Sequence, residues 1–181
     1  MLRIEWNVGN AEVYTLTVAT DHTFFVGDDG VLVHNSICPV SRPPGSDWDI
    51  TNVRARGRTI EAQLLPPGNV ITSRTYPVID SFVRSTGEAE SIKSIDLTSP
   101  FYQTASNLRG KLNYYSRQLD AFFGIDYAGV DTTGSVIRSK TMVFVFEPNV
   151  ADAAQQGVIN GFIYSFASKY PQLHLRIQYL R

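Results

Sequence analysis

Apolar and polar residues alternate with a period of two near both ends of this chain and with a helical period between them. Glu12-Val13-Tyr14-Thr15-Leu16-Thr17-Val18 and Asp21-His22-Thr23-Phe24-Phe25-Val26 read as strands, Gly27 to Gly30 as a tight Gly/Asp turn, and Val31-Leu32-Val33 as the strand that follows. Residues 36–50 are rich in Pro, Ser and Gly and read as a linker. A short helix is predicted within Asn52 to Leu65, with a hard stop at Pro66-Pro67-Gly68. Pro77 to Val83 alternates as a strand, Ser85-Thr86-Gly87 turns it, and Glu88 to Leu97 returns as the second arm of a hairpin. Thr98-Ser99-Pro100 opens a helix to about Phe123, with Phe101, Leu108, Leu112, Tyr115 and Leu119 at helical spacing. Thr141 to Phe146 is a continuous apolar run, as expected of a strand covered on both faces. A helix from about Val150 to Lys169 follows, with Ala154, Val158, Phe162 and Phe166 in one stripe, and Leu173 to Tyr179 alternates strictly. Strand, helix and strand of these lengths predict a right-handed parallel crossover. The chain therefore divides into a short all-β piece over 1–35, a linker over 36–50 and an α/β domain over 51–181, its mixed sheet flanked by helices.

Composition supports a packed core. Of the 181 residues, 43% are hydrophobic and 12% aromatic, which argues against wholesale disorder. No apolar run approaches the roughly 20 residues of a membrane span, and the N-terminus lacks the charged-then-apolar layout of a signal peptide. A single cysteine, Cys38, excludes an internal disulfide framework and a multi-cysteine zinc site. The net charge of −1 hides an asymmetry, because five of the 17 acidic residues but only one of the 16 basic ones lie ahead of Ser36. The remainder is mildly basic, which permits a polyanionic substrate without demanding one.

The predicted hairpin carries the candidate chemistry. Side chains alternate across a strand, so Lys93 shares a face with Ser91 while Glu88 and Glu90 point the other way. Asp80 lies on the preceding strand and Glu61 on the helix before it. Two acids, a small polar group and a lysine suit metal-assisted phosphodiester hydrolysis. The carboxylates would hold a divalent ion that polarises the phosphate and lowers the pKa of a bound water, and the lysine would stabilise charge developing on phosphorus. On the second helix Gln103, Arg109, Lys111 and Arg117, interleaved with tyrosines, suit a phosphate backbone. Asp96 is expected to order the turn into that helix, and His174 to face solvent.

Two resemblances sharpen this reading. The stretch from Glu12 to Val31-Leu32-Val33-His34-Asn35-Ser36 resembles the closing strands of an intein-like Hint processing domain, in which Asn cyclises onto its own carbonyl and the preceding His polarises it. Such domains also use an upstream nucleophile, and this chain starts too late to contain it, so His34 and Asn35 are expected to be silent remnants of autoprocessing. In large secreted bacterial toxins this module precedes the toxic domain.

Tyr76-Pro77-Val78-Ile79-Asp80-Ser81-Phe82, Ser91-Ile92-Lys93-Ser94-Ile95-Asp96-Leu97 and Tyr102-Gln103 resemble the C-terminal endonuclease toxin domains of contact-dependent growth inhibition and related polymorphic toxins. The resemblance implies a PD-(D/E)xK nuclease-like fold and a divalent metal, Mg or Zn, at Glu61 and Asp80, with Ser91 and Lys93 completing the catalytic set. An acid usually stands two residues before the lysine; Ser91 stands there here. The resemblance further implies a substrate of DNA or tRNA, a cognate immunity protein, a parent toxin delivery protein, no membrane partner, and secretion followed by delivery into a target-cell cytoplasm. The alternative is a catalytically inactive module that binds nucleic acid or protein.

Overall fold

The computed structural model describes the backbone of residues 2–5, 12–15, 23–26 and 31–34, and residues 45–71, 73 and 75–180 in full. It forms two units, 1–39 and 40–181, each taken by itself. In the first, β1 (Leu2–Glu5) pairs antiparallel with β2 (Glu12–Thr15), and β3 (Thr23–Val26) with β4 (Val31–His34). Strand β1 was not anticipated. His34 ends β4 opposite Thr23, while Asn35 lies outside the described residues.

Along the second unit run α1 (Val53–Leu64), β5 (Ser81–Val83), β6 (Glu88–Ile95), α2 (Ala105–Asp120), the short strands β7 (Asp126–Tyr127) and β8 (Val130–Asp131), β9 (Ser139–Phe146), α3 (Ala153–Lys169) and β10 (His174–Tyr179). Four strands make a mixed sheet in the order β10-β9-β6-β5. Central β9 is parallel to both its neighbours, and β5 is antiparallel to β6. Alternation then sorts side chains onto two faces. Met142, Phe144 and Phe146 join Leu108, Leu112 and Leu119 of α2 and Val158, Phe162 and Phe166 of α3 in the larger core. Val143 and Val145 face the other way and, with Ile92, pack under Ile60 of α1 and Trp48.

Trp48 departs from the expected linker. Ser46 caps a 3-10 turn over Asp47–Asp49, which inserts Trp48 at 1% exposure while its Nε1 donates to the Leu180 carbonyl at 2.9 Å. The second helix also differs from expectation. Thr104 is extended (φ −91°, ψ 118°) and separates a 3-10 turn at Pro100–Gln103 from α2, which leaves Phe101 55% exposed. At its other end α2 stops before Phe123, where Lys140 Nζ donates to the carbonyls of Leu119, Asp120 and Phe122. On α3 Ala154 is exposed and Gln155 is buried instead. Gln155 completes a capping box with Asp152 and donates to the carbonyls of Leu97 and Tyr102.

The hairpin arm expected over Pro77 to Val83 is a strand only over Ser81–Val83. Val78 has φ +67° and Ile79 N–H donates to the Pro77 carbonyl at 2.7 Å, so residues 77–79 form a γ-turn of the rare positive-φ kind. That turn takes the chain off the sheet and leaves β6 longer than its edge partner.

Candidate active site

Where β5 ends, an acid takes over its role. The last backbone bond between the two arms runs from Asp80 N–H to the Glu90 carbonyl, 2.8 Å. The next edge donor of β6, Ile92 N–H, is accepted by Asp80 Oδ2 at 2.7 Å. The same oxygen accepts Lys93 Nζ at 2.5 Å. Both side chains are about four-fifths buried, Lys93 at 20% exposure and Asp80 at 21%, so their attraction is screened less than that of a surface pair.

Glu61 completes the group from the other side. Its carboxyl is pushed up to about 7, first by burial and then by the negative charge of Asp80, against the opposing pull of Lys93 and Arg58. Two carboxyls and an ammonium thus share one electrostatic environment. Beside them, with Glu61 and Lys93 but not Asp80 in its lining, lies a cleft of about 390 Å³ between α1, the C-terminal half of β6 and α2. Arg54, Gly57, Arg58 and Glu61 line it from α1, Lys93 and Ser94 from β6, Tyr115 from α2, and Thr75 from the loop. At Gly57 an added Cβ would touch Glu61 Oε1 and Ser94 Oγ, each at 3.7 Å. Arg56 points elsewhere, pairing with Asp96 at 3.0 Å.

The arrangement sorts the expected residues. Glu61, Asp80 and Lys93 come together. Ser91 is 2% exposed, and its hydroxyl donates to the Val78 carbonyl at 2.7 Å rather than lining the cleft. Glu90 turns away from Lys93, as strand parity requires, and pairs with Arg176 at 2.9 Å. Of the four residues expected to meet nucleic acid, none lines the cleft, but Lys111 packs on a ring that does, its Nζ lying 4.7 Å from the centroid of Tyr115. Lys93 sits 5.9 Å from that centroid. Arg109 and Arg117 do not share this flank, because at about 100° per residue Arg109 stands roughly 160° around α2 from Lys111. Arg117 acts instead on the phenol of Tyr170, next to α3. Gln103 is committed to the Leu97 carbonyl at 3.0 Å. Asp96 orders its turn through Thr98 N–H and Oγ1, and His174 is exposed.

Arg54, Arg58, Ser94, Tyr115 and Thr75 were not singled out from the sequence as cleft residues. A signal existed for part of this set: positions 54, 57, 58 and 61 fall on one stripe of a helix.

Two carboxylates fit a hard divalent cation that keeps waters and a substrate phosphate in its remaining positions. The cleft lining contains no His or Cys, so the donor set suits Mg better than Zn. Among the described residues no cluster of three or more His, Cys, Asp or Glu is placed to hold a metal.

The model of the CDI toxin restriction endonuclease-like domain matches residues 56–176. A chain of the CdiA-CT/CdiI toxin and immunity complex from Yersinia pseudotuberculosis is similar in structure, with a TM-score of 0.56 and 20% identity over 68% of this chain and 97% of that one. No curated protein matches.

Proposed function

Because this chain belongs to the CDI toxin restriction endonuclease-like domain family, we propose that residues 51–181 are a toxin nuclease that hydrolyses phosphodiester bonds of DNA or tRNA in a target cell. Segment 1–35 reads as the closing part of a Hint processing domain that carries the His34-Asn35 pair, and part of 36–50 as the connection. The observation that carries the catalytic reading is the convergence of Glu61, Asp80 and Lys93 beside a cleft rimmed by Arg54 and Arg58.

Glu61 and Asp80 would hold the divalent ion, which when bound supplies charge for the phosphate and a more acidic water. Lys93, fixed by Asp80, presents an ammonium where negative charge develops on phosphorus. Arg54 and Arg58 lie one helical turn apart on the exposed rim of α1 and would grip flanking phosphates. Tyr115 offers a ring face against which a sugar or base can rest. A cell making this toxin would carry a cognate immunity protein, as the structurally similar toxin does, and the chain would travel on a secreted delivery protein into the target cytoplasm.

The test is cleavage of plasmid DNA and total tRNA by the full chain with Mg²⁺, Zn²⁺ or EDTA, beside Lys93→Ala. Metal-dependent cutting that is lost in the variant is expected, and it names the substrate. Binding without cutting under every condition would instead support an inactive binding module.

A further inference from the structure

We propose that Val78 is a positioning residue for the Asp80 carboxylate, and that Ser91 acts through it by clamping the γ-turn. The inference rests on the catalytic reading of Asp80 and Lys93.

A β-branched L-residue at φ +67° is a genuine outlier, since its Cβ crowds the neighbouring backbone. Such a conformation persists only where the surroundings over-determine it. Three constraints do so here. Ile79 N–H closes the turn onto the Pro77 carbonyl at 2.7 Å. Ser91 Oγ holds the Val78 carbonyl at 2.7 Å from inside the protein. The phenol of Tyr76, just upstream, is anchored by the carbonyls of Ile125 and Val130 and by Thr132 Oγ1.

The consequence falls two residues downstream. A straight strand would bring its own backbone carbonyl to Ile92 N–H. The turn removes that backbone, and Asp80 Oδ2 occupies its place, bound to Ile92 N–H and Lys93 Nζ together. Asp80 is therefore aimed by the turn and held by β6.

This also gives a reason for serine where the broad PD-(D/E)xK pattern places an acid. The one hydroxyl proton of Ser91 is spent on a carbonyl. A carboxylate there would set acceptor against acceptor in a buried position, which is costly. The residue type at 91 thus follows from the turn rather than from a metal.

The experiment uses the full chain as wild type, Ser91→Ala, Ser91→Asp, Val78→Gly and the Ser91→Ala/Val78→Gly double variant. Glycine accepts positive φ without crowding, so it keeps the turn without needing the clamp. Thermal unfolding of all five is one readout; kcat and the Mg²⁺ concentration giving half-maximal cleavage are the others. Ser91→Ala is expected to lower kcat roughly tenfold or more at an unchanged Mg²⁺ requirement, as a misplaced catalytic group does. Val78→Gly is expected to restore about threefold or more of that loss and to couple with Ser91→Ala in thermal unfolding. Ser91→Asp should be at least as damaging as Ser91→Ala. The proposal is overturned if Ser91→Asp tightens Mg²⁺ use, if Ser91→Ala raises the Mg²⁺ requirement equally in both backgrounds, or if the two substitutions are additive in unfolding. Should no protein cut nucleic acid, the nuclease reading fails, and the unfolding cycle still decides the clamp.

Discussion

On one face of the sheet, α2 and α3 bury Leu108, Leu112, Leu119, Val158, Phe162 and Phe166 against β9. On the other, α1 rests on a small cluster of Trp48, Ile60, Ile92, Val143 and Val145, yet α1 carries Glu61 and the cationic rim of the cleft. Most of the apolar mass thus lies on one face. Glu61 reaches the cleft from the other, while Lys93, paired in register with Phe144, reaches it from the α2 side beside Tyr115. A thick core can keep the sheet rigid while half-buried charges gather at the edge where β5 stops, outside either core. Lys93 and Asp80 sit at the sheet edge, where neither core encloses them.

The comparison breaks first under the largest changes. Phe144→Ala, in the thick core at 0% exposure, should cost about 3–5 kcal/mol in urea unfolding, with the cleavage rate per folded molecule unchanged. Lys93→Ala should act chiefly on the reaction, lowering kcat by roughly 10²–10³-fold, and should also lower the melting temperature in calorimetry because Asp80 loses its buried partner. A matched pair sharpens the contrast. Ile60→Val and Ile159→Val should each cost about 1 kcal/mol, but only Ile60→Val, beside Glu61, should also reduce kcat.

Glu61 adds a pH signature. Its folded value of about 7 lies above the ordinary 4.5, chiefly because of burial. The native protein therefore holds a proton that the unfolded chain has lost, and this contribution is full below about pH 4.5 and disappears as pH rises through about 7. Glu61→Gln should consequently raise the melting temperature at about pH 8 and not at about pH 4.5, while abolishing cleavage. The smallest effects belong to the far flank of α2. Lys111→Ala should raise KM severalfold and flatten its salt dependence, whereas Arg109→Ala and Arg117→Ala should leave both within about twofold.

Much of this was legible in the sequence because it depends on periodicity. The apolar run at Thr141–Phe146, the alternation after Leu173 and the proline stop after α1 each announce an element directly. Glu61, Asp80 and Lys93 could be grouped because the resemblance to toxin nucleases assigns them, whereas strand parity placed only Lys93 and Ser91 on one face. What escaped depends on tertiary context. Nothing in the residue type of Val78 announces a left-handed turn, so β5 was expected to be longer. Trp48 is one aromatic residue in a Pro/Ser/Gly-rich stretch, and composition cannot reveal that a core awaits it. The β7–β8 hairpin turns on Ala128 (φ +50°) and Gly129 (φ +78°), and alanine lacks the Asn or Asp signature such turns usually show. Arg109 and Arg117 were grouped with Lys111 by composition, whereas helix phase separates them.

Trp48 has a mechanical consequence as well. Its indole nitrogen is bonded to the Leu180 carbonyl, so the first and last described stretches of the domain close on each other like a clasp. Among the described residues, a pull on the chain ahead of Ser46 reaches that clasp before any other buried contact. The load passes next to α1 and the small cluster beneath it, and only afterwards to the interior shared by α2, α3 and β9. A passenger hauled from its upstream end would loosen α1, and Glu61 with it, before the larger core.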